Sequence, residues 1–188
     1  MTFQGHEQHL DAAAFLAWRE AAIGDARYEL LDGGVHAMGA ERAEHARVKN
    51  AALRELEQGI AAAGLPCEAF PDGMAVKVDD ANVFEPDVTV RCGAPLPGDA
   101  VLIDDPLIVI EVASPSTQRI DVLVKLSRYF RNPSIQHYLI VVPAGRVVVH
   151  HRRVGDRIEA ASHEAGVIHL DPPGLALDVA RLYPTPAP

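Results

Sequence analysis

The segment Leu107-Ile-Val-Ile-Glu-Val-Ala-Ser-Pro-Ser-Thr117 changes character half-way along. Its first seven residues are apolar except for Glu111, and β-branched residues dominate them. A run this short, bounded by Ser-Pro, predicts a buried strand. The hydroxyls of Ser116 or Thr117 can then cap a helix over about residues 118–130, which Asn132-Pro133 ends. A lone carboxylate inside such a strand costs several kcal/mol unless it is paired or binds a metal. Glu111 is therefore the most informative residue in the chain, to be weighed against a sheet-edge glutamate paired with an arginine.

Other polar residues around this strand could meet Glu111. Asp87 follows Pro86 at the start of Asp-Val-Thr-Val, again one acid on an apolar strand. If residues 87–91 and 107–113 are neighbours in one sheet, the two carboxylates converge. Hard oxygen ligands of that kind suit Mg²⁺ or Mn²⁺. Lys125 comes four residues after Asp121 on the following helix. That spacing makes either a helix-surface ion pair or a cation beside a developing oxyanion. Glu29, on the first strand of a hairpin, is either a third carboxylate or an exposed strand residue. His45 is a weaker candidate on a long helix.

The remaining pattern completes a mixed α/β (α+β) fold. Asp11 caps a helix that Gly24 ends. Asp32-Gly33 lies between alternating residues and predicts a tight hairpin turn. A helix over residues 41–63 places Val48, Ala52, Leu56 and Ile60 on one face, and Gly64 closes it. Strands are expected over residues 74–78 and 83–91, and a loop over 93–106. Residues 136–142 and 146–151 read as a second hairpin, and 157–161 and 167–170 as short strands. His150 and His151 are adjacent on a strand, so they face opposite sides and cannot chelate together. The expected organisation is an arm over residues 1–10, one domain over 11–182 and a Pro-rich tail over 183–188.

The chain has 188 residues, about one domain's length, with 48% hydrophobic and 23% charged residues. No apolar run approaches the roughly 18 residues of a membrane span. The N-terminus has neither a basic start nor an apolar stretch, which argues against a signal peptide. Cys67 and Cys92 lie 25 residues apart without a CxxC pattern. They read as reduced core residues of a cytoplasmic protein, with no disulfide framework. Neither GxSxG nor GxxxxGK[ST] occurs, so elbow-serine acyl transfer and P-loop chemistry lack their motifs. The net charge of −9 counts against nucleic acid as a partner. However, residues 116–157 hold eight basic and two acidic residues, a local excess of +6, against nine and twenty-four elsewhere. That excess is either a solvated face or a surface for a phosphate backbone.

Taken together, Tyr28-Glu-Leu-Leu-Asp-Gly33, His45, Glu85-Pro-Asp-Val88, Ile110-Glu-Val-Ala-Ser-Pro-Ser-Thr117, Asp121 and Lys125 resemble the Uma-two family. These are restriction-endonuclease-like proteins of the PD-(D/E)xK nuclease superfamily. The resemblance covers about residues 10–155. It implies a restriction-endonuclease-like mixed β-sheet flanked by helices and an endonuclease that hydrolyses DNA with Mg²⁺ or Mn²⁺. Under it, Asp87 and Glu111 are the metal-binding carboxylates. Lys125 is the lysine, carried on the next helix because Ala113 stands two residues after the glutamate. Glu29 matches an additional upstream acid, and His45 and Asp121 match further family positions. A homodimer fits double-strand chemistry. The alternatives are an inactive nuclease fold that binds DNA or protein, and a metal-dependent phosphodiesterase for a small substrate.

Overall fold

The computed structural model describes residues 9–22, 26–113 and 121–184. In chain order the elements are α1 (Ala12–Ala21), β1 (Tyr28–Leu31), β2 (Gly34–Ala37), α2 (Ala43–Ala63), β3 (Cys67–Pro71), β4 (Ala75–Asp79), β5 (Asn82–Phe84), β6 (Val88–Cys92), β7 (Leu102–Ile103) and β8 (Ile108–Val112). They continue with α3 (Asp121–Tyr129), β9 (His137–Val142), β10 (Val147–Val154), β11 (Arg157–His163), β12 (Val167–Leu170) and β13 (Leu175–Asp178). The fold is a mixed α/β single domain.

The predicted buried strand is β8, inside a six-stranded sheet of order β11-β10-β9-β8-β6-β3. It runs antiparallel to β6, with Val88 opposite Ile110, and parallel to β9, with Glu111 opposite Ile140. A parallel neighbour requires a crossover, and α3 lies within it. Alternation along β8 divides the core. Ile108, Ile110 and Val112 pack with Val48, Ala52, Leu56 and Ile60 of α2 and with Ile168 and Leu177 of the β12–β13 hairpin. Val109 faces the other way, with Tyr129 of α3, Tyr138 of β9 and Phe84 of β5. That second face meets a five-stranded sheet of order β2-β1-β5-β4-β7, whose outer side holds Phe15 of α1 against Leu30, Ala75 and Val83.

Local signals explain most element ends. The Asp11 side chain accepts the Ala14 N–H at 2.8 Å. In the β1–β2 turn, Asp32 and Gly33 both take positive φ, 48° and 81°, as a two-residue primed turn requires. Gly64 closes α2 in the left-handed region. Pro86 splits the expected strand 83–91 into β5 and β6, leaving Glu85-Pro86-Asp87 as the joint. The 93–106 loop contains the short β7, parallel to β4. Tyr183 is 8% exposed, and the Arg146 guanidinium lies 5.2 Å from its ring centre. The proposed caps Ser116 and Thr117 lie outside the described residues.

One expectation is overturned. Cys67 and Cys92 form a disulfide. They are directly opposite in the β3–β6 register, with Cα atoms 3.9 Å apart, and linear spacing carries no trace of that pairing. The step from cysteine spacing to a reduced protein therefore fails for this pair. Among the described residues no helix is long and apolar enough to cross a membrane.

Candidate active site

The site forms where the β5–β6 joint, the C-terminal end of β8, β1 and the faces of α2 and α3 meet. Asp87 follows Pro86 and turns toward β8, where its Oδ2 accepts the Val112 N–H at 2.7 Å. That bond places Asp87 beside Glu111. Glu29 is buried on β1, and its Oε1 accepts the Glu85 N–H at 2.9 Å. The Lys125 Nζ lies 2.8 Å from Glu29 Oε1 and 3.2 Å from Glu111 Oε1, and 5.3 Å from the Phe84 ring centre. The structure thus brings Glu29, Asp87, Glu111 and Lys125 together. Lys125 pairs with two carboxylates from other elements. Asp121 begins α3, and its side chain lies outside the described residues.

His45 joins from α2. Its Nε2 is 3.3 Å from Asp87 Oδ2, and its Nδ1 is 2.6 Å from Glu41 Oε1. The Asp87 bond, aided by Glu41, outweighs burial and pushes the His45 pKa up to about 9, so the ring is a cation at neutral pH. Burial pushes Glu111 up to about 7, assisted by the charges of Asp87 and Glu29 and opposed by Lys125 and the Tyr129 hydroxyl. Burial disfavours the Lys125 ammonium, but Glu111 and Glu29 outweigh it and hold its pKa above the ordinary lysine value. Outside this centre the ion pairs continue. Lys49 reaches Glu41 at 2.6 Å and Asp72 at 3.0 Å, and Arg27 bridges Asp72 and Glu85.

Among the described residues, the hydrogen bonds and ion pairs load one oxygen of each carboxylate. Glu29 Oε1 takes the Glu85 N–H and Lys125, Asp87 Oδ2 takes the Val112 N–H and His45, and Glu111 Oε1 takes Lys125 and Tyr129. The second oxygens are the ligand atoms such a cluster offers to a hard divalent cation. Glu41, His45 and Asp87 also present ligand atoms within 4.8 Å of one another. Glu29 and Glu111 around one half-buried lysine, with Asp87 beside them, form a cluster of hard oxygen donors, so the donor set fits Mg²⁺ or Mn²⁺.

The basic segment behaves differently from its composition. Arg128 pairs with Asp32 at 2.7 Å, Arg131 with Asp79 at 3.2 Å and Arg152 with Glu159 at 3.5 Å. Arg153 donates to the carbonyls of Ile135, Phe130 and Asn132. Much of the local +6 is therefore answered within the fold.

The family model of Uma2, described as "Putative restriction endonuclease", matches residues 12–180. The chain belongs to the Uma2 family. It is similar to an uncharacterized protein, slr1290, of Synechocystis sp. (strain ATCC 27184 / PCC 6803 / Kazusa), with 30% identity over 137 residues, 70% of this chain and 68% of that protein. It also resembles a crystal structure described as "a putative nuclease belonging to DUF820" from Anabaena variabilis ATCC 29413, with a TM-score of 0.75 and 15% identity, covering 93% of this chain and 97% of that one. At that identity the likeness establishes the fold.

Sequence reasoning overlooked several polar residues of this Uma2 site. Tyr129, fully buried, donates its hydroxyl to Glu111 Oε1 at 2.7 Å. Glu41 holds His45, and Glu85 supplies its backbone N–H to Glu29. A signal existed for two of them. Tyr129 is four residues after Lys125 and Glu41 four before His45, so each shares a helix or helix-entry face with a residue already chosen. Glu85 stands in the Glu85-Pro-Asp-Val88 string of the resemblance, but its part here is played by its backbone N–H, which no side-chain pattern records.

Proposed function

We propose that this protein is a metal-dependent endonuclease that hydrolyses DNA phosphodiester bonds, with Asp87 and Glu111 holding Mg²⁺ or Mn²⁺. One observation carries the reading: Glu29 and Glu111 share the ammonium of Lys125, and the Val112 N–H holds Asp87 beside Glu111, so carboxylates from three strands or strand joints meet at one place. A divalent cation bound there supplies Lewis-acid stabilisation of charge on a phosphoryl oxygen. The chain's own residues do the remainder. The Val112 N–H and His45 fix the orientation of Asp87. Lys125, held between Glu29 and Glu111, keeps a full positive charge in a water-poor setting, where it stabilises charge developing on the phosphate. A second copy of the chain would supply a second such site for the opposite strand.

The test is plasmid nicking by the full chain with Mg²⁺ or Mn²⁺, compared with Asp87→Asn and Glu111→Gln. The wild type is expected to convert supercoiled plasmid to nicked and linear forms only with the divalent ion. Each variant is expected to lose at least about a hundredfold in rate, the scale on which removing a preorganised charge-stabilising group acts. Cleavage retained in both variants would remove this site from the reaction.

The internal pairing of Arg128, Arg131, Arg152 and Arg153 favours a second reading, a phosphodiesterase for a small substrate that needs little contact with a long polyanion. Divalent-dependent hydrolysis of bis(p-nitrophenyl) phosphate without plasmid nicking would select it.

A further inference from the structure

We infer that Tyr129 is a positioning residue of this site, setting which oxygen of Glu111 is presented to a bound cation. The inference rests on the reading of Glu111 as a metal ligand. The terminal torsion of a glutamate is broad and two-fold, so an unrestrained carboxylate offers its oxygens interchangeably. Here two donors from one face of α3 converge on the same atom. The Tyr129 hydroxyl reaches Oε1 at 2.7 Å and the Lys125 Nζ reaches it at 3.2 Å. Turning the carboxylate over would abandon both bonds in a buried setting. Glu111 is therefore held by Oε1, and among the described residues nothing engages Oε2.

The phenol is itself immobile. Tyr129 is 0% exposed and clamped between Phe84, at 5.0 Å between ring centres, and Tyr138, at 4.9 Å. Tyr138 provides an internal control. It is equally buried and packs against Tyr129 and His151, yet its hydroxyl has no hydrogen-bond partner among the described residues. The two tyrosines are matched in burial and in contact with each other, and differ in whether the hydroxyl touches Glu111. Groups that orient a ligand from behind affect metal affinity as well as turnover.

The experiment is calorimetric titration of Mn²⁺ into the full chain as wild type, Tyr129→Phe, Tyr138→Phe and Glu111→Gln, with thermal unfolding of each. Tyr129→Phe is expected to weaken Mn²⁺ binding by about tenfold or more while still unfolding cooperatively. Tyr138→Phe is expected to bind as the wild type does. Wild-type affinity in Tyr129→Phe, or an equal loss in both phenylalanine variants, would overturn the inference, because packing alone would then explain Tyr129. If the wild type binds no Mn²⁺, or Glu111→Gln binds as tightly as the wild type, the ion is not at Glu111. The assignment of Glu111 and the role of Tyr129 then fall together.

Discussion

An ammonium touching two carboxylates and a histidine touching two others give this site a charge balance that depends on pH. His45 shows the dependence most directly. Its ordinary pKa of 6.5 rises to about 9 in the folded protein, because of Asp87 first and then Glu41. A folded-state pKa above the unfolded one means that folding takes up a proton. The stabilisation is complete below about pH 6.5 and is lost as the pH rises through about 9. In chelator-treated protein, the urea midpoint of wild type should exceed that of His45→Asn most at about pH 6, and the gap should close by about pH 10. A constant gap would show that His45 contributes through packing alone. The individual acids Asp87 and Glu111 are legible because one directly precedes an apolar strand and the other interrupts one. Tyr129 was not, because a tyrosine on an amphipathic helix looks like ordinary core until its hydroxyl partner is known.

At the scale of elements, α3 carries Lys125 and Tyr129, so its docking decides whether the site exists. The helix is fastened to the β1–β2 turn by a two-pronged pair, with Arg128 Nε and Nη2 at 2.9 and 2.7 Å from the Asp32 carboxylate. Both side chains are partly exposed, so the pair is worth about 0.5–1 kcal/mol. A double-mutant cycle on Arg128→Ala and Asp32→Ala, read by urea denaturation, should return a coupling of that size. Zero coupling would mean that the apolar face of α3 does the fastening alone. The hairpin that accepts this pair was readable from Asp-Gly, as were α2 from its four-residue apolar spacing and β8 from its β-branched run. The strands β3, β7 and β13 were not. Cys-Glu-Ala-Phe-Pro has no clean alternation, Leu102–Ile103 is two residues long, and Leu175–Asp178 gains its identity from pairing with β12. Each exists because a neighbour supplies its hydrogen bonds, which no local pattern records.

Across the whole molecule, His45 and His150 have opposite relations to acid. Away from the site, on the α2 side, His137 Nδ1 meets His150 Nε2 at 2.9 Å, and His137 Nε2 meets the Pro172 carbonyl at 2.9 Å. Burial, followed by His137, His163, Arg152 and His151, pushes His150 down to about 4 from 6.5. Here the neutral form is favoured in the fold and the unfolded chain takes up the proton first. The contribution is complete above about pH 6.5 and is lost as the pH falls through about 4. His150→Gln should therefore flatten the loss of stability in that window, as followed by thermal unfolding at successive pH values. An unchanged acid limb would assign the loss to other groups. Neither histidine partner could be inferred from the sequence. The adjacent pair His150-His151 showed only that the two rings part company, and His137 is joined to His150 by the β9–β10 register.

The Cys67–Cys92 bond has a topological consequence for the integrity of the site. The ring it closes contains β4, β5 and the Glu85-Pro86-Asp87 joint. Asp72-Gly73 is an exposed or half-exposed turn within that ring. A chain severed there would separate into a fragment carrying Glu29, His45 and Cys67 and another carrying Asp87, Cys92, Glu111 and Lys125. The disulfide would keep the two as one molecule, so a single backbone break at that turn divides the sequence of the site without dispersing its carboxylates.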